Sequence, residues 1–201
     1  VQAPGLDVLT QGRLPWFLQP LRLQGFLGRL WARSPQAQGY DSNPERWRID
    51  QLLALLLREV HDLPGAISLG PEFDEAFHAA PAEPAARQAH HDAQAEALTH
   101  TLPLGSSAGG EQAKFITRNA GDGAQLIVKF SPPRGTPFGE RWHDLLHAEA
   151  LALQTLREHG VPVADTRVVQ SARRTYLEST RFDRVGARGR RHVVALDAVH
   201  E

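Results

Sequence analysis

Lys129 and Glu149, with the upstream turn Ser106-Ser107-Ala108-Gly109-Gly110, are the residues of this 201-residue chain whose types and spacing could do chemistry together. Glycines let backbone N–H groups approach an anion with no Cβ in the way, serine hydroxyls add donors, and a lysine on a strand adds a point charge. That set suits phosphate, and its combination points to ATP. Alone, the turn is a weak signal. A Gly/Ser loop is most often only a loop, and this one matches neither the phosphate-loop Gly-Lys-Ser/Thr pattern nor GxGxxG.

The elements that must position these groups are a hairpin and a helix. Lys114–Thr117 and Gln125–Phe130 read as strands joined by Asn119-Ala-Gly-Asp-Gly123. Alternation puts Leu126, Val128 and Phe130 on one face of the second strand and Gln125, Ile127 and Lys129 on the other. The periodicity then predicts a helix from Glu140 to His159, stopped by Gly160 with Pro162 just beyond. At 100° per residue, Trp142, Leu145, Leu146, Leu153 and Leu156 form one apolar stripe with Glu149 near its centre. A carboxylate facing a core is costly unless a cation meets it, and Lys129 is the cation expected to do so. The competing reading has each charge solvated on its own element.

Other constellations read as structural. His143 and His147 have the i, i+4 spacing of a zinc helix, but Asp144 stands where a zinc protease needs Glu, and both lie off the apolar stripe as surface residues. His90-His91 and His100 also tempt a metal reading. No metal site is expected. Arg184, Arg188, Arg190 and Arg191 read as the solvated tip of a hairpin over Phe182–Leu196 rather than as phosphate contacts. No serine sits in a Gly-x-Ser-x-Gly elbow.

Upstream, Leu23, Phe26, Leu27, Leu30 and Trp31 predict a helix within Leu21–Arg33, while Trp16–Leu18 is either a strand or a helical turn. Asn43-Pro44 starts a helix to His61 lined by Ile49, Leu52, Leu53, Leu56 and Val60. Asp62–Gly65 breaks it and Ala66–Leu69 reads as a short strand. Residues 71–98 read as an Ala/Pro-rich linker ending in a polar helix. Downstream, Thr166–Val169 and Thr175–Glu178 read as strands around Ser171–Arg174.

Formal charge is −1, so nothing draws the whole molecule to nucleic acid or an anionic membrane. The absence of cysteine excludes disulfides, thiolate nucleophiles and Cys-ligated metals, and fits a reducing cytoplasm. No apolar run reaches the roughly 18 residues of a membrane span, and residues from Val1 onward do not read as a charged region followed by an apolar signal core. The chain begins at Val1, has no methionine, and ends as Leu196–Glu201 begins to read as a helix. A fragment of a longer polypeptide is expected.

Taken in order, the Gly/Ser turn, the strand ending Ile127-Val-Lys129, the helix with Glu149, Gly160-Val-Pro-Val163 and Leu177-Glu-Ser-Thr-Arg-Phe-Asp-Arg184 resemble the small lobe of HipA-family serine/threonine kinases. These are the toxins of type II toxin–antitoxin systems. Pro20–Gly28 and Asp62-Leu-Pro-Gly-Ala-Ile67 resemble the family's N-terminal subdomain, closest to its longer, divergent branch. The resemblance implies an α+β fold, with a kinase-like small lobe of antiparallel sheet plus one helix after a small mixed α/β subdomain. Its domains would be residues 1–98, 99–180 and 181–201, the last being the start of a truncated large lobe. It implies that Lys129 pairs with ATP phosphates and with Glu149, and that Ser106 to Gln112 cover the phosphates with Ser106 as autophosphorylation site. It places Glu178 to Thr180 at the hinge receiving adenine through backbone groups. One departure is that Ala113 precedes Lys114, where the family's best-known form has its lysine directly after Gly-Ala-Gln-Glu. The catalytic Asp and the Mg²⁺ ligands belong to the family's large lobe; its Gly-Asn-x-Asp-x-His segment is absent here, and the lone Tyr-Asp, Tyr40-Asp41, lies far upstream. The expected function is an ATP- and Mg²⁺-dependent serine/threonine kinase of HipA toxin type, of which these 201 residues alone transfer no phosphate. Implied partners are a protein substrate, such as the aminoacyl-tRNA synthetases the family targets, and an antitoxin. The alternative is a non-catalytic HipA-like module that docks an antitoxin or partner protein.

Overall fold

The computed structural model describes residues 14–59, 63–67, 86–99, 112–186 and 189–194. The chain divides into two compact units, residues 1–74 with 190–201, and residues 75–189.

In the first unit, Gly25 has φ +63° and opens helix α1 (Gly25–Ala32) later than Leu21, because a left-handed residue cannot continue a right-handed helix. Trp16–Leu21 forms a 3-10 turn, so the helical alternative holds for that apolar run. The helix expected from Pro44 is divided. Asn43 accepts from the Glu45 N–H and closes a 3-10 turn over Pro44–Arg46, then Trp47 is extended and α2 runs Ile49–Glu59. Trp47 decides the break: its ring is buried, its Nε1–H donates to the Asp41 carbonyl at 2.6 Å, and it meets Tyr40 edge-on. Leu14, Leu21, Ala37, Trp47, Leu52, Leu55, Leu56 and Leu63 form the core. Ala66 and Ile67 are not in a strand; Ser68 and Leu69 lie outside the described residues.

The second unit is built on a four-stranded antiparallel sheet, in spatial order β1 (Lys114–Arg118), β2 (Gln125–Phe130), β4 (Thr175–Thr180), β3 (Thr166–Gln170). The β1–β2 turn is held by Asp122, whose Oδ1 accepts from Asn119 Nδ2 at 2.7 Å and from the Ala124 N–H at 3.0 Å. In the β3–β4 turn, Ser171 Oγ accepts from the N–H groups of Arg173 and Arg174. Both turns use a short polar side chain to stand in for backbone partners. Two short strands, β5 (Arg184–Val185) and β6 (Gly189–Arg190), follow.

Helix α3 (Arg87–Thr99) lies against the back of the sheet and α4 (Pro137–Glu158) against the front. Helix α4 starts three residues earlier than the periodicity predicts. Thr136 caps the Gly139 N–H at 3.0 Å, Pro137 occupies the first turn, and Glu140 Oε1 accepts from the Gly135 N–H at 2.9 Å. It ends at Glu158, where Gly160 has φ +78° and the Val161 N–H reaches the Leu156 carbonyl. The α+β class is as expected. A second helix on the sheet is not, because α3 was assigned to the end of a linker in the N-terminal subdomain.

Candidate functional site

Residues directly opposite in antiparallel strands share a face. Lys129 is paired with Lys114 on β1 and Leu177 on β4, and these three point to the front. Glu149, two turns past the middle of the α4 N-terminal half, comes down on this face. Its Oε1 lies 2.5 Å from Lys129 Nζ, with the two side chains 28% and 34% exposed. Partial burial thins the water between the charges and makes this a stronger contact than a surface pair. Lys114 completes the group. Burial holds its ammonium below the usual lysine range, the Lys129 charge pushes the same way, and Glu149 opposes them. One carboxylate therefore faces two ammonium groups, an arrangement suited to an added anion.

The phase of α4 differs from the helical-wheel expectation. Leu146 is buried, but Leu145, Leu151 and Leu156 are exposed. His143 and His147 are half-exposed and reach the sheet: His143 Nδ1 lies 2.5 Å from Thr175 Oγ1, and His147 Nε2 is 2.9 Å from Gln170 Nε2. The sheet front is polar at its β3–β4 end, so imidazoles satisfy it where leucines would not. Their partners are protein groups, and among the described residues no group of three His, Asp or Glu is placed to hold a metal ion.

Glu178 does not join Lys129. It faces the back, opposite Val128 and Arg167, and is 4% exposed. Its Oε1 accepts from His91 Nε2 at 2.7 Å and faces Arg87 Nε at 3.5 Å, while its Oε2 accepts from Arg167 Nε and Nη2 at 3.1 and 3.0 Å. The carboxylate is fully used, and β4 is paired with a neighbouring strand on both sides at this residue. Beside it Tyr176 donates its hydroxyl to Asp92, which also accepts from Ser171 Oγ at 2.8 Å. Burial, then the Asp92 bond, hold the Tyr176 phenol far above its ordinary range. Arg174 is buried too, donating to the Ser131 carbonyl and lying over the Phe130 ring. These back-face groups were missed because α3 has too weak an amphipathic pattern to be read as a packed helix. The available signal was a glutamate directly after Tyr176-Leu177 in the strand Thr175–Thr180.

Arg181, Asp183 and Arg184 form a compact ion cluster rather than a solvated tip. Arg181 Nε and Nη2 grip both Asp183 oxygens at 3.0 and 2.8 Å, and Arg184 Nη1 adds 2.8 Å. Arg181 Nη1 also reaches Gln125 Oε1 at the start of β2, and Phe182 between them is 66% exposed. Arg188 lies outside the described residues, as do Ser106, Ser107, Ala108, Gly109, Gly110 and His100. Tyr40-Asp41 belongs to the first unit, where Asp41 accepts from the Asn43 N–H and closes a turn.

Residues 6–78 match the family described as YjjJ-like toxin, middle domain, and residues 106–199 match the HipA-like C-terminal domain. The chain is 36% identical to Toxin YjjJ of Escherichia coli (strain K12) over 194 residues, covering 92% of this chain and 44% of that protein. The chain thus spans less than half the length of this relative. No helix among the described residues is long and apolar enough to cross a membrane.

Proposed function

The chain belongs to the HipA-like toxin family, and from that premise we propose that its second unit is the ATP-holding small lobe of a cytoplasmic serine/threonine protein kinase. The observation that carries this reading is the Lys129–Glu149 pair, which joins a central strand to the helix on its front face. In kinases such a lysine contacts the nucleotide phosphates and is useful only while a helix glutamate holds it in place. The residues present fit ATP. Two ammonium groups and one carboxylate on a half-buried face leave positive charge to be met by phosphate oxygens. Ser106 to Gly110 would cover those phosphates, with Ser106 modified by autophosphorylation, and the adenine would lie beside the end of β4, at Glu178 to Thr180. Mg²⁺, when bound with the nucleotide, neutralises the β- and γ-oxygens; its ligands and the catalytic Asp would come from outside the described residues. The substrate would be a protein serine or threonine, and the neutralising partner an antitoxin.

Calorimetric titration of Mg-ATP into the full-length protein tests the site. Lys129→Ala and Glu149→Ala should each weaken binding at least about tenfold, equivalent to about 1.4 kcal/mol, and abolish phosphate transfer. Wild-type affinity and activity in both would remove the pair from any nucleotide role. A second reading, a non-catalytic module that docks an antitoxin or partner, draws on the exposed Leu145, Leu151 and Leu156 of α4. It takes over if the full-length protein binds its partner but no Mg-ATP.

A further inference from the structure

The back of the sheet holds an arrangement that the proposed nucleotide site does not explain. Helix α3 meets the strands mainly through polar groups: Arg87 with Glu178 and Asn119, His90 with Thr117, His91 with Glu178, Asp92 with Tyr176 and Ser171, and Glu96 with Arg173 and Arg174. Its apolar contribution is chiefly Ala95 and the His91 ring, which packs on Phe115 and Tyr176 with centroids 5.4 and 5.1 Å away. Burying ion pairs where leucines would fit is often neutral or unfavourable for stability; what they contribute is a single register. His91 is the innermost member, 0% exposed, and its Nε2–H donates to Glu178 while Nδ1 has no partner among the described residues.

The register they set is that of Lys129. Glu178 stands directly across β4 and β2 from Val128, and its neighbour Leu177 directly across from Lys129. Arg167 ties the same carboxylate to β3. The lysine is thus positioned from two sides, by Glu149 in front and by the strand plane behind. Resting on the ATP-site reading above, we propose that His91 is a positioning residue for Lys129: from the back of the sheet, its hydrogen bond to Glu178 fixes the strands that aim the ammonium at phosphate. His91 itself touches no ligand.

The test uses the full-length protein, with Mg-ATP titrated calorimetrically at a temperature where each variant is folded by circular dichroism. His91→Leu, which keeps bulk and loses the donor, should weaken binding about fivefold or more. His91→Gln, which restores a donor, should return to within about twofold of wild type. On a Lys129→Ala background, His91→Leu should have no further effect, since residues acting through one another are not additive. Arg167→Gln, at a half-exposed side chain that tolerates change, should weaken binding about threefold through the same carboxylate. Wild-type affinity in His91→Leu overturns the proposal, as does equal loss in the Leu and Gln variants or full additivity with Lys129→Ala. Should His91→Leu not fold, an unaltered affinity in Arg167→Gln overturns it instead. Failure of the ATP site itself shows separately, as unchanged binding in Lys129→Ala alone.

Discussion

At the residue scale the sharpest feature is a shortage of negative charge. Lys114 and Lys129 face each other across β1 and β2, with Glu149 the carboxylate that acts on both among the described residues. Glu149 raises the Lys114 pKa while burial and Lys129 lower it, so Glu149→Gln should depress Lys114 further. Following the Lys114 Cε chemical shift through a pH titration checks this, and an upward move would contradict the arrangement. Alternation on the strand placed Lys129 on a partly buried face, whereas Leu145 and Leu156 of the stripe drawn around Glu149 are exposed, so it was folding that brought the carboxylate to the lysine. The His91–Glu178 contact was not legible in the sequence, because 87 residues separate the partners and no local pattern marks α3 as packed.

At the scale of elements, each helix and strand is held by a small number of local devices. Gly139 sits in the first turn of α4, where a Cβ would lie 2.0 Å from the Pro133 carbonyl oxygen. Gly139→Ala should therefore cost about 2–4 kcal/mol, a clash with backbone rather than with a movable side chain, measurable as a lowered urea midpoint. Tyr176 makes the α3–sheet contact sensitive to alkali. Its folded-state pKa lies above that of the unfolded chain, so the stability it confers is complete below about pH 10 and is lost as pH rises beyond it. Between pH 10 and 11 the unfolding free energy should fall by up to about 1.4 kcal/mol per unit from this group. Tyr176→Phe should remove that slope, although the variant is less stable at neutral pH for lack of the Asp92 bond. The same slope in both proteins would show that Tyr176 ionises freely.

At the scale of the whole molecule, the chain divides into two compact units, and the Lys129–Glu149 pair lies wholly within the second. If the proposed kinase reading holds, incubating the full-length protein with Mg-ATP and mapping phosphopeptides should find phosphate within residues 105–112, at Ser106. Phosphate found elsewhere alone would remove Ser106 from that role. The sequence by itself determined the hairpin, the long helix, the β3–β4 turn and the two residues of the Lys129–Glu149 pair as candidates, because alternation, helical periodicity and turn residues are all local signals. It also carried the family resemblance, through Arg181-Phe-Asp-Arg184 and the Gly/Ser turn. Only the tertiary structure decided where α3 packs, which way Glu178 faces, that His143 and His147 reach Thr175 and Gln170, and that the Arg184 side chain is held against Asp183. The physical reason is common to all four. A polar side chain carries no periodic signature of burial, and whether it is buried depends on a partner that only folding brings within hydrogen-bonding reach.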